Sequence, residues 1–250
     1  MLTPGTMIHS TSEPYRYETL PHEFGLLCWN IHKQNLMLPF KRYFEELLER
    51  YTIDLVALQE VKINSNRTAS FERFHFAFAP NIKFFDHVYG VLNGSRIREK
   101  ETFSLLSTHR ESMLQTHKSA IFSYYPLYDG EILLLVNLHA INFSTTRVYH
   151  KEIETLFEKI RHHQGAMIVT GDFNSWNRKR MNVVLKLAGA LDLQTIKMDQ
   201  AHLIKSFMKY KLDHIFYRGL HLKAHTVIDS KHFSDHNALY ARFASLSSIA

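Results

Sequence analysis

Apolar runs separated by short polar insertions dominate this sequence and predict an alternation of strands and helices. Residues 24–29 and 53–58 predict buried strands, and residues 38–51 between them have the spacing of an amphipathic helix. Further helices are predicted at residues 144–163 and 178–191. Further strands are predicted at residues 74–78, 87–92, 118–124, 131–138, 166–170, 212–217, 222–227 and 238–243.

Turn signals separate several of the predicted strands. The dipeptides at 80–81 and 93–94 predict turns, and Gly171 predicts the end of the strand at 166–170. The mixture of hairpin-like pairs and strand–helix–strand units predicts an α/β protein with a mixed sheet arrangement. Periodicity alone leaves the topology open.

The length and composition favour one large domain. A chain of 250 residues can bury a substantial core, and with 9 Gly and 6 Pro no stretch has the composition of a flexible linker. We expect a polar arm at residues 1–23 and a single domain at residues 24–250. The only cysteine, Cys28, excludes an internal disulfide, and its apolar neighbours predict a core position.

The charge balance is basic, with a formal net charge of +6 and a pI near 9.3. Such a balance favours polyanionic partners, either nucleic acid or an anionic membrane surface, although a moderately basic soluble protein has the same composition. No apolar run has the length of a membrane span, and the first residues do not resemble a secretory signal. We therefore expect a cytoplasmic monomer without stable membrane insertion.

Polar side chains follow the predicted strands at the points where those strands end. They are carboxylates, amides and imidazoles, the groups that hold a divalent metal ion and cleave phosphate esters. Taken alone, Glu60 is about as typical of a solvated strand end, and Asn30, the segment Gly-Asp-Phe-Asn and any single histidine are more typical of a turn or a structural residue. The whole set is much less easily explained in that way. The set consists of Asn30, Glu60, His139, Asp172, Asn174, Asp213, Asp235 and His236.

The segments that carry these side chains resemble the endonuclease/exonuclease/phosphatase superfamily, also called DNase I-like. They run in the family's order, and the combination of Gln-Glu-Val, Gly-Asp-Phe-Asn and Ser-Asp-His is highly specific. The resemblance is strongest to bacterial members of uncertain substrate, which share the pattern Lys118-Ser-Ala. The matching segments are residues 28–31, 54–61, 136–139, 169–174, 212–216 and 234–236.

The resemblance implies a four-layer sandwich, in which two mixed β-sheets pack face to face with helices outside. Residues 24–250 would then form the catalytic domain, with its site in a cleft at one edge of the sandwich. It also implies a bound Mg²⁺ or Mn²⁺ ion. Glu60 would be the principal ligand, Asn30 would lie beside it, and Asp235 would complete the metal environment.

The catalytic roles are also implied by the resemblance. Asp172 would align or deprotonate the attacking water, and Asn174 would hold the scissile phosphate. His236, oriented by Asp213, would contact the same phosphate. His139 matches the second catalytic histidine of DNase-like members.

Two further positions complete this interpretation. Arg110 resembles a phosphate-contacting arginine of the same group. DNase-like members support the second histidine with a glutamate in the strand that corresponds to residues 87–92, and this chain has none there, only Asp86 and His87 nearby. This departure weakens the assignment of His139 as a general acid.

The function expected from these features is metal-dependent phosphodiester hydrolysis, with DNA or RNA as the favoured substrate. The basic side chains at 96, 98, 100 and 110 would line one rim of the site, unless they form only a solvated basic face. A phosphatase or phospholipase C-type esterase acting on a lipid or inositol phosphate is the alternative, and it would need an apolar loop such as 84–85 or 124–125. A binding module without turnover is the third hypothesis.

Overall fold

The protein is built around two parallel strand pairs, each connected by a helix.

The computed structural model describes residues 6–10, 17–64, 71, 73–111, 116–207 and 209–246. Parts of the predicted arm, residues 1–5 and 11–16, and the last residues of the predicted domain, 247–250, lie outside the described residues.

The described strands are numbered in chain order. They are β1 (Ile8–His9), β2 (Glu23–Asn30), β3 (Leu55–Asn64), β4 (His75–Phe84), β5 (His87–Ser95), β6 (Glu101–Leu106), β7 (Ser119–Pro126), β8 (Ile132–His139), β9 (Met167–Asp172), β10 (Gln194–Thr195), β11 (Ser206–Phe207), β12 (Tyr210–Lys211), β13 (Asp213–Arg218), β14 (Leu220–Ile228) and β15 (Ala238–Ser245). The α-helices are α1 (Leu38–Arg50), α2 (Thr146–Ile160) and α3 (Arg178–Ala190). Single 3₁₀ turns occupy Gln34–Leu36 and Ala201–Leu203.

Two mixed sheets contain nearly all of these strands. The first has the order β1-β4-β5-β3-β2-β15-β14, and the second has the order β10-β13-β9-β8-β7-β6. Within them β2 pairs in parallel with β3, and β8 pairs in parallel with β9. Helices α1 and α2 make the two crossovers that these parallel pairs require. The carboxyl ends of both pairs therefore become available for one site.

The apolar side chains sort into three layers of core. Leu26, Leu135 and Ile168 belong to the layer between the two sheets. On the outer face of the first sheet, Phe44 of α1 packs in a second layer, and on the outer face of the second sheet Tyr149 of α2 packs in a third, together with α3. The fold is therefore the four-layer α/β sandwich that the resemblance implies.

Local signals explain where the helices begin and end. Pro39 lies in the first turn of α1, where its missing amide proton is not needed. The Thr145 side chain caps α2 by accepting from the Val148 amide at 3.3 Å, and Asn177 caps α3. Helix α2 ends at Ile160, three residues before the predicted end.

Three predicted breaks are wrong. The dipeptide at 93–94 lies inside β5, where a Cβ on Gly94 would come within 2.6 Å of Val56 Cγ2, so this glycine permits close packing instead of a turn. The dipeptide at 80–81 lies inside β4 at a register shift. Strand β9 also continues past Gly171 to Asp172, because Gly171 adopts a φ of 135° without leaving the sheet.

The first residues of the chain contribute to the first sheet. Strand β1 pairs with β4, and Leu20 is fully buried in the core between the sheets. The division into an arm at 1–23 and a domain at 24–250 stays a prediction. Cys28 is buried, as predicted, and burial raises the pKa of its thiol to about 12. In the described part of the chain, no helix is long and apolar enough to cross a membrane.

Candidate active site

The ends of four neighbouring strands bring the predicted polar side chains together. Asn30 ends β2, His139 ends β8 and Asp172 ends β9. Asp172 lies beside His139 in the parallel register and beside Asp213 across β13. Across the two sheets, Asn30 Nδ2 donates to Asp172 Oδ2 at 3.2 Å. The site is therefore built at the sandwich edge, with the Asp172 carboxylate at its centre.

Glu60 reaches this edge by a different route from the predicted one. It lies inside β3, not at its end, at a register shift against β5, and its φ is 54°. Such a bulge turns a side chain out of the regular alternation of the strand. Its Oε1 lies 3.5 Å from Asn30 Nδ2, and its Oε2 pairs with Lys33 Nζ at 2.6 Å.

The charges around Glu60 keep it ionised. Burial raises the pKa of Glu60, but His139 and then Lys33 overcome that effect and lower it to about 2. The pKa of His139 is itself about 4, so His139 is uncharged at neutral pH. The charged partner of Glu60 is then Lys33. The site therefore presents a carboxylate, not a carboxylic acid, beside Asn30.

Asp172 is the most connected group of the site. Its Oδ1 accepts from the Asn174 amide at 3.0 Å, and its Oδ2 lies 3.6 Å from His139 Nε2 and 3.7 Å from His236 Nε2. Burial, followed by the charge of Asp213, raises the pKa of Asp172. A buried carboxylate with a raised pKa, between two imidazoles, is suited to hold a water molecule and take its proton.

His236 is held in one orientation by a carboxylate. Its Nδ1 lies 2.8 Å from Asp213 Oδ2, and its backbone amide donates to Ser234 Oγ at 3.1 Å. Burial lowers the pKa of His236, but the charge and hydrogen bond of Asp213, together with Asp172, raise it to about 9. The imidazole is therefore protonated at neutral pH, with its Nε2 turned toward Asp172.

His139 has a lysine as its hydrogen-bonding neighbour. Lys118 Nζ donates to His139 Nε2 at 3.2 Å and lies 3.7 Å from the buried carboxylate of Glu111. Burial and then the charge of Lys118 lower the pKa of His139 to about 4, against the opposite effect of Asp172. Lys118 was visible in the sequence only as part of a shared pattern.

Arg110, the predicted phosphate-binding arginine, forms no hydrogen bond or ion pair with the other predicted site residues that the structure describes, and its role stays a prediction. Arg110 is exposed, and its Nε donates to His117 Nε2 at 3.2 Å. The cation that the fold brings to His139 is Lys118 instead. The reason is the register of β7, which begins directly after Lys118 and runs beside β8.

The predicted basic rim at residues 96, 98 and 100 is also misplaced. The Arg96 amide donates to the Asp54 carbonyl at 3.2 Å, next to the first residue of β3. Asn30 pairs with Gln59 at the other end of that strand. Five residues of β-strand separate the two levels by roughly 16 Å, so these side chains lie toward the opposite end of the sheet from the site.

Asn174 and Asp235 differ in how firmly they are placed. Asn174 is buried in a left-handed conformation with φ of 47°, and its Nδ2 donates to the Ala140 carbonyl at 2.9 Å. The Asp235 side chain is 56% exposed, forms an ion pair with Lys205 and approaches His236 Nε2 at 3.9 Å. Asp235 therefore lies at the solvent edge of the site, not at its centre.

The fully buried Arg180 is a residue that the pattern of the sequence did not identify. Its guanidinium lies between the rings of Tyr149 and Trp176, at 4.3 and 4.6 Å from their centroids. It donates to the carbonyl of Asn174 at 3.0 Å and to carbonyls of the segment after β8, which are those of Ile141, Asn142 and Ser144. Arg180 thus joins the loops that follow His139 and Asp172. An exposed-looking helical start, Arg-Lys-Arg, conceals this role in the sequence.

The donor set fits a hard divalent cation. The carboxylates of Glu60 and Asp172 both approach Asn30, at 3.5 and 3.2 Å from its Nδ2, so a cation could be shared by the two carboxylates. The ligand atom of Asn30 would be its Oδ1, which accepts from the His32 amide at 3.2 Å. Mg²⁺ and Mn²⁺ take carboxylate and amide oxygens of this kind. Among the described residues, Asp172, Asp213 and His236 also place possible ligand atoms within 4.8 Å of one another. In that set, however, His236 Nδ1 already bonds to Asp213, so the oxygen set fits better.

Comparison with known proteins connects this geometry to a family. The Endonuclease/Exonuclease/phosphatase family matches residues 27–236. The UPF0294 protein YE0917 of Yersinia enterocolitica is 33% identical over 233 residues, which cover 87% of this chain and 82% of that protein.

Solved structures share the fold. An endonuclease/exonuclease/phosphatase family protein from Leptotrichia buccalis superposes with a TM-score of 0.65 at 19% identity, covering 88% of this chain and 99% of that one. The 3′ phosphatase NExo from Neisseria, bound to a product DNA hairpin, superposes with a TM-score of 0.58 at 18% identity, covering 87% of this chain and 98% of that one. The chain therefore belongs to the endonuclease/exonuclease/phosphatase family, whose members are phosphoesterases.

Proposed function

We propose that this protein is a divalent-metal-dependent phosphodiesterase that cleaves nucleic acid by in-line attack of water. The observation that carries the proposal is the position of the Asp172 carboxylate. It lies 3.2 Å from the amide of Asn30 on one side and less than 4 Å from the imidazoles of His139 and His236 on the other. One carboxylate is thus shared by a candidate metal environment and by two groups suited to phosphate.

Glu60 and Asn30 would hold Mg²⁺ or Mn²⁺, with Asp235 at the outer edge of that environment. When bound, such an ion neutralises charge on the phosphate and on the leaving oxygen. The placement of Glu60 in a bulge supports this assignment. The backbone there has a strained, positive φ, and this conformation directs the carboxylate toward the site.

The protein's own groups would divide the remaining tasks. Asp172 orients the attacking water and receives its proton at a carboxylate oxygen. His236 holds a phosphoryl oxygen through Nε2–H while Asp213 holds its Nδ1–H. Asn174, fixed through the Ala140 carbonyl, faces the same phosphate with its amide.

Nucleic acid is favoured as the substrate by charge. The net charge is +6, and lysines 33, 118 and 205 pair with acidic groups in and around the site. The Neisseria neighbour was bound to a DNA hairpin, which supports the same substrate class here by analogy. If this is correct, binding of an oligonucleotide weakens steeply with salt, because phosphate contacts release counterions.

A phosphoester screen tests the proposal directly. Plasmid DNA, an abasic-site duplex, RNA, an inositol phosphate and sphingomyelin are compared with Mg²⁺, with Mn²⁺ and with a chelator. We expect chelator-sensitive cleavage of nucleic acid that falls roughly 10²–10³-fold in Glu60→Ala and in His236→Ala. Glu23→Ala is the matched control, because Glu23 begins the strand that Asn30 ends and its side chain is 42% exposed.

Two results would contradict the proposal. Wild-type turnover in folded Glu60→Ala or His236→Ala would remove both residues from the chemistry. Preference for sphingomyelin or an inositol phosphate over every nucleic acid would instead support the lipid or inositol esterase.

A further inference from the structure

A cleft of about 370 Å³ opens beside the candidate active site. Glu60 and His139 line its inner end, together with Lys33 and Lys118. From there it follows β4 and β5 toward the turn that joins these strands. Its volume lies within the range of small-molecule and nucleoside sites, roughly 300–1,000 Å³.

The two ends of the cleft differ in chemistry. The inner end carries the ammonium groups of Lys33 and Lys118, which pair with Glu60 and Glu111 and are the cations of the cleft nearest a phosphate at the site. The outer part is lined by the rings of Tyr89 and Phe84 and by the side chain of Ile82. A ligand that fits would therefore carry a phosphate at one end and a flat apolar group at the other.

One polar wall of the cleft is held in a fixed orientation. Asn81, the extra residue at the bulge of β4, donates through Nδ2 to the His117 carbonyl at 2.7 Å. Its Oδ1 has no hydrogen-bond partner among the described residues, and the same holds for the Tyr89 hydroxyl. Both atoms are free to bind the polar edge of a ring that stacks in the cleft.

We propose that this cleft binds the base of the nucleotide next to the scissile phosphate, with Tyr89 and Phe84 as the stacking residues. The inference rests on the proposed phosphodiesterase function and names the part of the substrate that its site selects. Aromatic side chains stack on bases of any sequence, whereas a fixed amide oxygen such as that of Asn81 adds a preference for a base with a donor on its edge.

The same observations disfavour the two other phosphoester classes. An inositol polyphosphate needs several cations along its site, and none of the described residues that line the outer part of this cleft is a lysine or an arginine. A membrane-inserted tip would have to include Asp86, which follows Phe85 at the exposed turn, and a carboxylate is costly in an apolar environment. A nucleobase requires neither a row of cations nor a membrane-inserted tip.

Dinucleotides with a single phosphodiester bond give the sharpest test. The base on the 5′ side, or the base on the 3′ side, is replaced by an abasic tetrahydrofuran residue. We expect that one of the two replacements lowers kcat/KM roughly 10- to 100-fold, the effect of losing one stacked base, and that the other has little effect. Equal rates for all three dinucleotides would overturn the proposal.

Variants connect that effect to the cleft. Tyr89→Ala and Phe84→Ala are expected to lower kcat/KM about 10-fold for the dinucleotide with both bases, and to leave the sensitive abasic dinucleotide unchanged. Phe84 is 52% exposed, so its truncation does not threaten folding. Tyr128→Ala is the matched control, since Tyr128 is 69% exposed and follows β7 at the end away from His139. An equal loss on both dinucleotides would show a merely structural effect and count against the proposal.

A binding measurement separates this proposal from the proposed function. Calorimetry with Asp172→Asn compares the same dinucleotides without turnover, and we expect about 10-fold tighter binding when the base is present. If the wild type cleaves no nucleic acid but this difference in affinity is found, the proposed function is wrong and the proposed base site is supported. If cleavage is found without the difference, only the proposed base site is wrong.

The last test uses lipid vesicles. Vesicles of equimolar phosphatidylcholine and sphingomyelin are sedimented with the wild type and with Phe85→Ala, whose ring is 80% exposed at the tip of the turn. We expect no sedimentation of either protein. Binding that the substitution abolishes would overturn the base site in favour of a membrane-facing tip.

Discussion

The two histidines that flank Asp172 occupy opposite surroundings at nearly the same distance. His139 Nε2 and His236 Nε2 lie 3.6 and 3.7 Å from Asp172 Oδ2. His236 is paired with Asp213 and has its pKa raised to about 9, although burial acts against this. His139 is buried beside Lys118 and has its pKa lowered to about 4.

The difference shows that equal distance does not mean equal role. At neutral pH one imidazole is charged and the other is neutral, because a carboxylate stabilises the charged form of His236, whereas burial and then Lys118 oppose protonation of His139. Since Lys118 donates to Nε2 of His139, the proton of that neutral ring lies on Nδ1. The positive charge beside His139 therefore belongs to Lys118.

The largest expected effect lies on the Asp213 side. His236→Asn should lower kcat/KM roughly 10³-fold, because a charged donor to the phosphate is lost. Asp213→Asn should cost nearly as much, and the double variant should cost little more than either one, because the two residues act as a unit. Kinetics on an oligonucleotide, analysed as a double-mutant cycle, measures this. Additive losses would show that Asp213 acts independently of His236.

On the His139 side of Asp172, Lys118 should contribute more to kcat/KM than His139 does. Lys118→Met should lower kcat/KM roughly 10²-fold, whereas His139→Asn should lower it only about 10-fold, since the charge is retained. The same assay decides the matter, with His139→Asn compared directly with His236→Asn. If the two histidine variants lose equal activity, the asymmetry between the two sides is wrong.

Arg180 should affect activity by positioning the loops that follow His139 and Asp172. Arg180→Lys keeps the charge but cannot reach all the carbonyls that the guanidinium joins, so it should destabilise the fold by about 3 kcal/mol. Folded enzyme should lose roughly 10-fold in kcat with little change in KM, because Asn174 and the segment after His139 shift together. Urea denaturation and kinetics below the transition measure the two effects separately. A stability loss with unchanged kcat would leave Arg180 a structural residue only.

The smallest effect is expected from the exposed ion pair. Lys205→Met removes the partner of Asp235, whose side chain is 56% exposed, and exposed pairs contribute little. We expect less than about a threefold change in kcat/KM, against the hundredfold change for Lys118→Met. A larger loss would show that Lys205 contacts the substrate directly and that both sides of the site depend on a lysine.

Local patterns predicted most of the elements because their causes are local. Helix α1 begins at Leu38 as predicted, since the apolar spacing and Pro39 are both present in the sequence. Strand β6 was missed, because it is the edge of its sheet and its exposed positions alternate poorly. Gly94 predicts a turn by its type, but its conformation is decided by the side chain of Val56 on a neighbouring strand.

The candidate site was predictable in composition but not in arrangement. Asn30, His139 and Asp172 follow strands, and the parallel pairing brings such ends to one edge. Glu60 depends on a bulge, and Lys118 on a register between strands, neither of which periodicity reveals. For the same reason, periodicity does not show that the residues at 96–100 lie toward the opposite end of the sheet.

By itself, the sequence determined the family, most of the helices and strands, and the chemical groups of the site, because short motifs and periodicity report the local chain. The tertiary structure alone decided which cation approaches which imidazole. It also decided that Arg180 is buried and that a cleft continues from Glu60 along β4 and β5. Charge, burial and distance between residues far apart in the chain set a pKa and shape a cavity, and these quantities exist only once the sheets have packed.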